Sequence, residues 1–96
     1  MKQAKENLRI KVEKWDTKKL ETLKVFDWPN WTKEVSTFDW HYDNQEQCYF
    51  LEGQVTVKTS EGEVSIGQGD FVTFPKGLSC TWCVKKPVRK HYRFGS

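Results

Sequence analysis

The chain has 96 residues, a formal net charge of +3, and aromatic side chains at 15% of its positions. That length holds one domain with one core. No run approaches the roughly 20 apolar residues of a membrane-spanning helix. The polar start Met1-Lys2-Gln3-Ala4-Lys5-Glu6-Asn7 lacks the apolar stretch of a secretory signal, so a soluble, cytoplasmic protein is expected, with a tail over 1–7 and a single domain over 8–96.

Taken in chain order, Leu8-Arg9-Ile10-Lys11-Val12 alternates apolar and polar residues, the period of a strand. Asp16-Thr17 can cap a short helical turn carrying Leu20 and Leu23. A Trp-rich passage, Trp28-Pro29-Asn30-Trp31, follows, and Pro29 biases Trp28 towards extended backbone. Val35 to Trp40 is β-prone, Asp43-Asn44 marks a turn, and Gln47 to Leu51 is aromatic and apolar. Beyond Gly53, Val55-Thr56-Val57 alternates again. Ser60-Glu61-Gly62 reads as a hairpin turn before Val64-Ser65-Ile66. Gly67-Gln68-Gly69-Asp70 turns into Phe71-Val72-Thr73-Phe74, and Pro75-Lys76-Gly77 turns again. Cys80 to Val84 is a strand, Lys86-Pro87 a turn, and Val88 to Phe94 a last strand. Short strands at this spacing predict an all-β sandwich or barrel.

Three cysteines, an odd count without a secretory segment, predict free thiols. Cys80-Thr81-Trp82-Cys83 has the C-x-x-C spacing, but positions i and i+3 of a strand face opposite sides. Cys80 is therefore expected inside with Trp82, and Cys83 outside. Lys85, Lys86, Arg89, Lys90 and Arg93 crowd the C-terminal end. The acids are spread through the chain and the aromatics lie mostly upstream of this cluster, so it reads as a solvated strand face and no nucleic-acid partner is expected. His91 is read as a partly exposed structural residue.

Two segments resemble the cupins, whose motifs are G-x5-H-x-H-x3–4-E-x6-G and G-x5-P-x-G-x2-H-x3-N. Glu46 stands seven positions before Gly53, and Gly69 is followed at motif spacing by Pro75 and Gly77, with 15 residues between Gly53 and Gly69. The runs Phe38-Asp39-Trp40, Glu46 to Gly53, Gly69 to Trp82 and Pro87 to Tyr92 are similar to small single-domain cupins. The barrel of these proteins resembles the cupin domain of (S)-ureidoglycine aminohydrolase. The resemblance implies a cupin, or double-stranded β-helix (jelly-roll), barrel of two antiparallel sheets.

It also implies a site. Cupins usually bind a divalent metal through the two His and the Glu of the first motif and the His of the second. With the four-residue gap before Glu46, the ligand positions are Asp39 and His41. With the three-residue gap they become Trp40 and Tyr42, a poor metal site. Cys80 replaces the second-motif His, Val84 the closing Asn and Lys33 the opening Gly. The longer gap makes Asp39, His41, Glu46 and Cys80 an O, N, O, S ligand set. A thiolate would favour Zn or Fe over Mn there. A metal-free pocket is the alternative, since one imidazole stands where three are expected.

Cys48 shares the face of Glu46, Trp82 that of Cys80, and Trp31 and Trp40 can close the mouth, which makes these four the expected pocket lining. The function expected is binding of a small polar molecule in the barrel, as a metal-dependent enzyme or as a non-catalytic module. Tyr49 and Leu51, opposite in direction to Glu46, are expected to form an outward apolar patch suited to a homodimer.

Overall fold

A computed structural model describes residues 9–95. Leu8, the tail expected over 1–7 and Ser96 lie outside the described residues. The elements run β1 (Lys11–Lys14), α1 (Thr17–Thr22), a 3-10 turn (Val25–Asp27), β2 (Asn30–Lys33), β3 (Ser36–His41), β4 (Gln45–Thr59), β5 (Gly62–Gly67), β6 (Asp70–Phe74) and β7 (Ser79–Gly95). Asp16 caps α1 as expected, its side chain accepting from the Lys19 N–H at 2.9 Å. Trp28 is extended, with φ −72° and ψ 156°. The strand β2 was not expected, because Trp31 sits in a four-residue element too short to show a period.

Every strand pair is antiparallel. The long strands β4 and β7 pair with each other and belong to two sheets at once. Their Gln45–Phe50 and Val88–Tyr92 halves lie in the order β1-β6-β4-β7-β2. Their other halves carry β5 and β3. The chain is thus a barrel of two antiparallel sheets sharing two bent strands, the cupin architecture expected.

The bend has a local cause. The register of β4 against β7 shifts between Phe50 and Val55, and the inward positions change from Glu46, Cys48 and Phe50 to Val55 and Val57. An inserted bulge residue flips side-chain parity in this way. Gly53 stands in it at φ +114°, and a Cβ there would lie 2.8 Å from the Pro87 carbonyl oxygen and the Val88 Cα. Only glycine admits this conformation and approach. Lys86-Pro87 is not the turn expected but the matching irregularity in β7, which continues through it to Gly95.

The main core fills the space between the sheets with Tyr42, Phe50, Phe74, Trp82 and aliphatic neighbours. A second cluster lies on the outside of the first sheet. Leu20, Val25 and Phe71 pack there with Trp15, Trp28 and Tyr49, and Trp15 stacks on Phe71 at 3.7 Å. Of the two residues of the expected outward patch, Tyr49 is met by Phe26, edge to face at 5.9 Å, while Leu51 stays partly exposed. His91 is also more enclosed than expected. It is 7% exposed, its Nδ1–H donates to the Trp28 carbonyl at 2.9 Å, and Phe26 meets its ring.

Candidate functional site

On β3 the inward side chains are Phe38 and Trp40, with Tyr42 completing the series just beyond its end. Phe38 lies against Trp82, Trp40 against Tyr42, and Tyr42 is 1% exposed. Backbone bonds fix this register, Tyr42 N–H donating to the Leu78 carbonyl and Gly77 N–H to the Tyr42 carbonyl. The three-residue gap before Glu46 is therefore the one the fold adopts. Trp40 and Tyr42 occupy the places of the two motif imidazoles.

The longer gap is corrected accordingly. Asp39 and His41 point to the opposite, exposed face. There Asp39 accepts from the Thr81 hydroxyl at 2.7 Å, and His41 Nδ1 shares a hydrogen bond of 2.8 Å with the Ser79 hydroxyl. Both line a groove of about 630 Å³ beside the β4–β5 turn, and Asp39 also reaches the rim of the inner cavity. Glu46 and Cys80 are both buried in the barrel. The four expected ligands do not converge, and among the described residues no group of three or more His, Cys, Asp and Glu could hold a metal.

The inner cavity measures about 450 Å³ and is walled by Trp31, Phe38, Trp40, Tyr42, Trp82 and Tyr92, with Phe94 at its edge. Trp31, Trp40 and Trp82 are among its lining residues. Cys48 lies behind that wall, fully buried in the main core. Its thiol contacts the Val72 carbonyl at 3.7 Å.

Four charged side chains also line the inner cavity, Lys33 and Asp39 less buried and Glu46 and Lys90 fully enclosed among the aromatics. The Lys90 ammonium donates to Glu46 Oε2 at 3.0 Å, with side-chain exposures of 4% and 6%. A residue assigned to a solvated basic face is thus inside the barrel. Lys90 Nζ also lies 3.8 Å from Cys48 Sγ. It sits 4.7 Å from the ring centre of Trp82, 4.9 Å from Trp31, and 5.7 Å from both Phe50 and Phe74. A desolvated cation over an aromatic face gains up to about 2 kcal/mol, which offsets part of the cost of removing the ammonium from water. The signal for this placement was alternation: Val88, Lys90 and Tyr92 share one face of β7, and Val88 is apolar. The basic neighbours Arg89 and Arg93 obscured it.

Burial also acts on Tyr42, Cys48 and Cys80. Burial, reinforced by the Glu46 charge, drives the Tyr42 phenol far above its usual range. Burial pushes Cys48 up to about 12, against the opposing pull of Lys90, and Cys80 up to about 11. Both thiols are small apolar side chains here, not poised thiolates. The donor set does not fit a cupin metal: the sole buried carboxylate among these residues is already paired to an ammonium, and aromatic rings replace the motif imidazoles.

Two sheets sharing bent strands, the paired motif turns and a pocket between the sheets define a cupin. Residues 20–92 match the family model of the EutQ-like cupin domain, Cupin_3, and the chain belongs to that family. It is similar to a DUF861 family protein of Thermotoga maritima, with 55% identity and a TM-score of 0.88, covering 91% of this chain and 100% of that one. The EutQ protein of Clostridium difficile is 25% identical, with a TM-score of 0.63 over 68% of this chain and 52% of that one. A putative ethanolamine utilization protein Q of Salmonella typhimurium LT2 is 25% identical, with a TM-score of 0.62 over 68% of this chain and 53% of that one. The chain spans about half the length of these two EutQ proteins. No curated protein matches the chain. None of the described helices is long and apolar enough to cross a membrane.

Proposed function

We propose that this cupin binds a small, flat, uncharged polar molecule between its sheets. The observation that carries the reading is the aromatic cavity closed at one wall by the Glu46–Lys90 pair. Indole and phenol walls favour a planar ligand, and few polar groups set among apolar walls are the usual composition of a small-molecule site. The pair carries no net charge, and Lys33 and Asp39 add one charge of each sign to the lining, so the cavity as a whole offers a charged ligand no net counter-charge for the water it loses. An amide, lactam or urea offers an adjacent donor and acceptor to a carboxylate and an ammonium. Ethanolammonium, the cation suggested by the name of the Salmonella relative, would meet a cage already filled by Lys90.

The chemistry favours binding over turnover. Glu46 is engaged by Lys90, both interior thiols are held protonated, and His41 lies on the outer face. Titration of the tryptophan fluorescence with benzamide, benzoate and benzylammonium tests the reading, because the three probes share a ring and differ in charge. Benzamide should bind the most tightly, and Trp31→Leu should weaken it. Preference for either ion, or no response to any of the three, would sink the proposal.

A further inference from the structure

We propose that the Lys90 ammonium is the resident cation of this barrel and takes the part that a bound metal plays in cupins whose glutamate is a ligand. The inference is independent of which ligand the pocket takes. Glu46 keeps the motif position of the ligand glutamate, seven residues before Gly53, and it is buried, so its negative charge needs a partner. The partner is supplied by the chain. Lys90 lies directly opposite Phe50 across the β4–β7 ladder, which anchors its stem on an inward position of a paired strand. Its Nζ reaches Glu46 Oε2 at 3.0 Å.

The surroundings suit an ammonium and not a metal ion. An ammonium has three donors and no need for further anionic ligands. Here one donor is directed to the carboxylate, a sulfur lies at 3.8 Å, and the ring faces of Trp31 and Trp82 lie within 5 Å. A divalent ion placed on Glu46 would face the positive Lys90 beside the same carboxylate. It would find indole and phenol rings from Trp40 and Tyr42 where the family motif has imidazoles. Cation-binding by aromatic faces is a recurrent device for ammonium groups, and this barrel applies it to its own side chain. The site's positive charge is then supplied by the chain itself and is independent of metal supply.

Chemical rescue tests this. Lys90→Ala removes the part of the side chain that propylammonium can replace. The thermal midpoint of Lys90→Ala should rise with propylammonium chloride in the manner of a ligand binding the folded state. Potassium chloride at equal ionic strength should not reproduce the rise, and wild type should show none. Adding Glu46→Gln to Lys90→Ala should abolish the rescue. Wild-type protein incubated with Zn, Fe and Mn and then desalted should carry far less than one equivalent of metal. Stoichiometric metal that Glu46→Gln removes would overturn the proposal, as would a rescue that potassium chloride matches. Should Lys90→Ala fail to fold under all conditions, wild-type NMR decides. Slowly exchanging Lys90 ammonium protons and ring-shifted ε-methylene resonances are expected, and resonances like those of a free lysine would refute it.

Discussion

Lys90 and Glu46 form an ion pair at 3.0 Å, with 4% and 6% side-chain exposure, between the two sheets of the barrel. Breaking a buried pair from one side leaves an uncompensated charge, at a cost of about 3–5 kcal/mol, whereas replacing both members with neutral groups of similar volume is often close to neutral. Lys90→Met should therefore lower the unfolding free energy by about that amount. The double variant Lys90→Met with Glu46→Gln should recover most of it. Urea unfolding of wild type, both single variants and the double variant closes the cycle, and strict additivity of the two changes would contradict the pairing.

The bend of the shared strands makes a second prediction. Gly53→Ala would place a methyl group 2.8 Å from the Pro87 carbonyl oxygen and the Val88 Cα, at φ +114°. Gly62 has φ +131° but nothing within 4 Å of its Cβ position. Strain of a left-handed backbone alone costs about 1–3 kcal/mol, so Gly62→Ala should lose about that much. Gly53→Ala should lose distinctly more, through the clash with the neighbouring strand. Equal midpoints for the two variants in denaturant would show that β4 and β7 do not approach as described.

Thiol reactivity should separate the three cysteines. Cys48 is fully buried, Cys80 is 7% exposed, and Cys83 is partly exposed on the other face of β7. The thiolate is the reactive form, and burial raises Cys48 to about 12 and Cys80 to about 11. Iodoacetamide at neutral pH should label Cys83 first, with the other two protected until the protein unfolds. Peptide mass mapping of a time course checks the order.

The same shifts fix the sign of an alkaline effect. Cys48 and Cys80 hold their protons more tightly in the folded chain than an ordinary exposed thiol does. Their contribution to stability is complete below about pH 9 and is lost as the pH rises through the folded values of about 11 and 12. The unfolding free energy should fall across that window, and Cys48→Ala should flatten the fall relative to its own neutral-pH value. A slope unchanged by that substitution would remove Cys48 as its source.

His41 supplies a contrast. It lies on the outer face, bonded to Ser79. His41→Ala should alter stability by no more than about 0.5 kcal/mol and leave benzamide binding unchanged. Loss of probe binding in this variant, followed by fluorescence, would return His41 to the site.

The sequence by itself determined the glycine turns and most of the strand periods, though not the bulge at Lys86-Pro87 or the short strand β2. Gly53, Gly69, Pro75 and Gly77 are local conformational requirements, and alternation such as Val55-Thr56-Val57 is a local pattern, so the barrel could be read from one chain. Glu46 and Cys80 were placed inside for the same reason, through their distances to Gly53 and Gly77. The tertiary structure decided which face of β3 meets the cavity. The three- and four-residue gaps before Glu46 differ by one residue, and one residue exchanges the faces of a strand. Only the pairing of Tyr42 with Gly77 and Leu78 chose between Asp39/His41 and Trp40/Tyr42. Lys90 was hidden by the same physics at longer range: its charge is compatible with burial only because Glu46, 44 positions earlier in the chain, is brought to meet it.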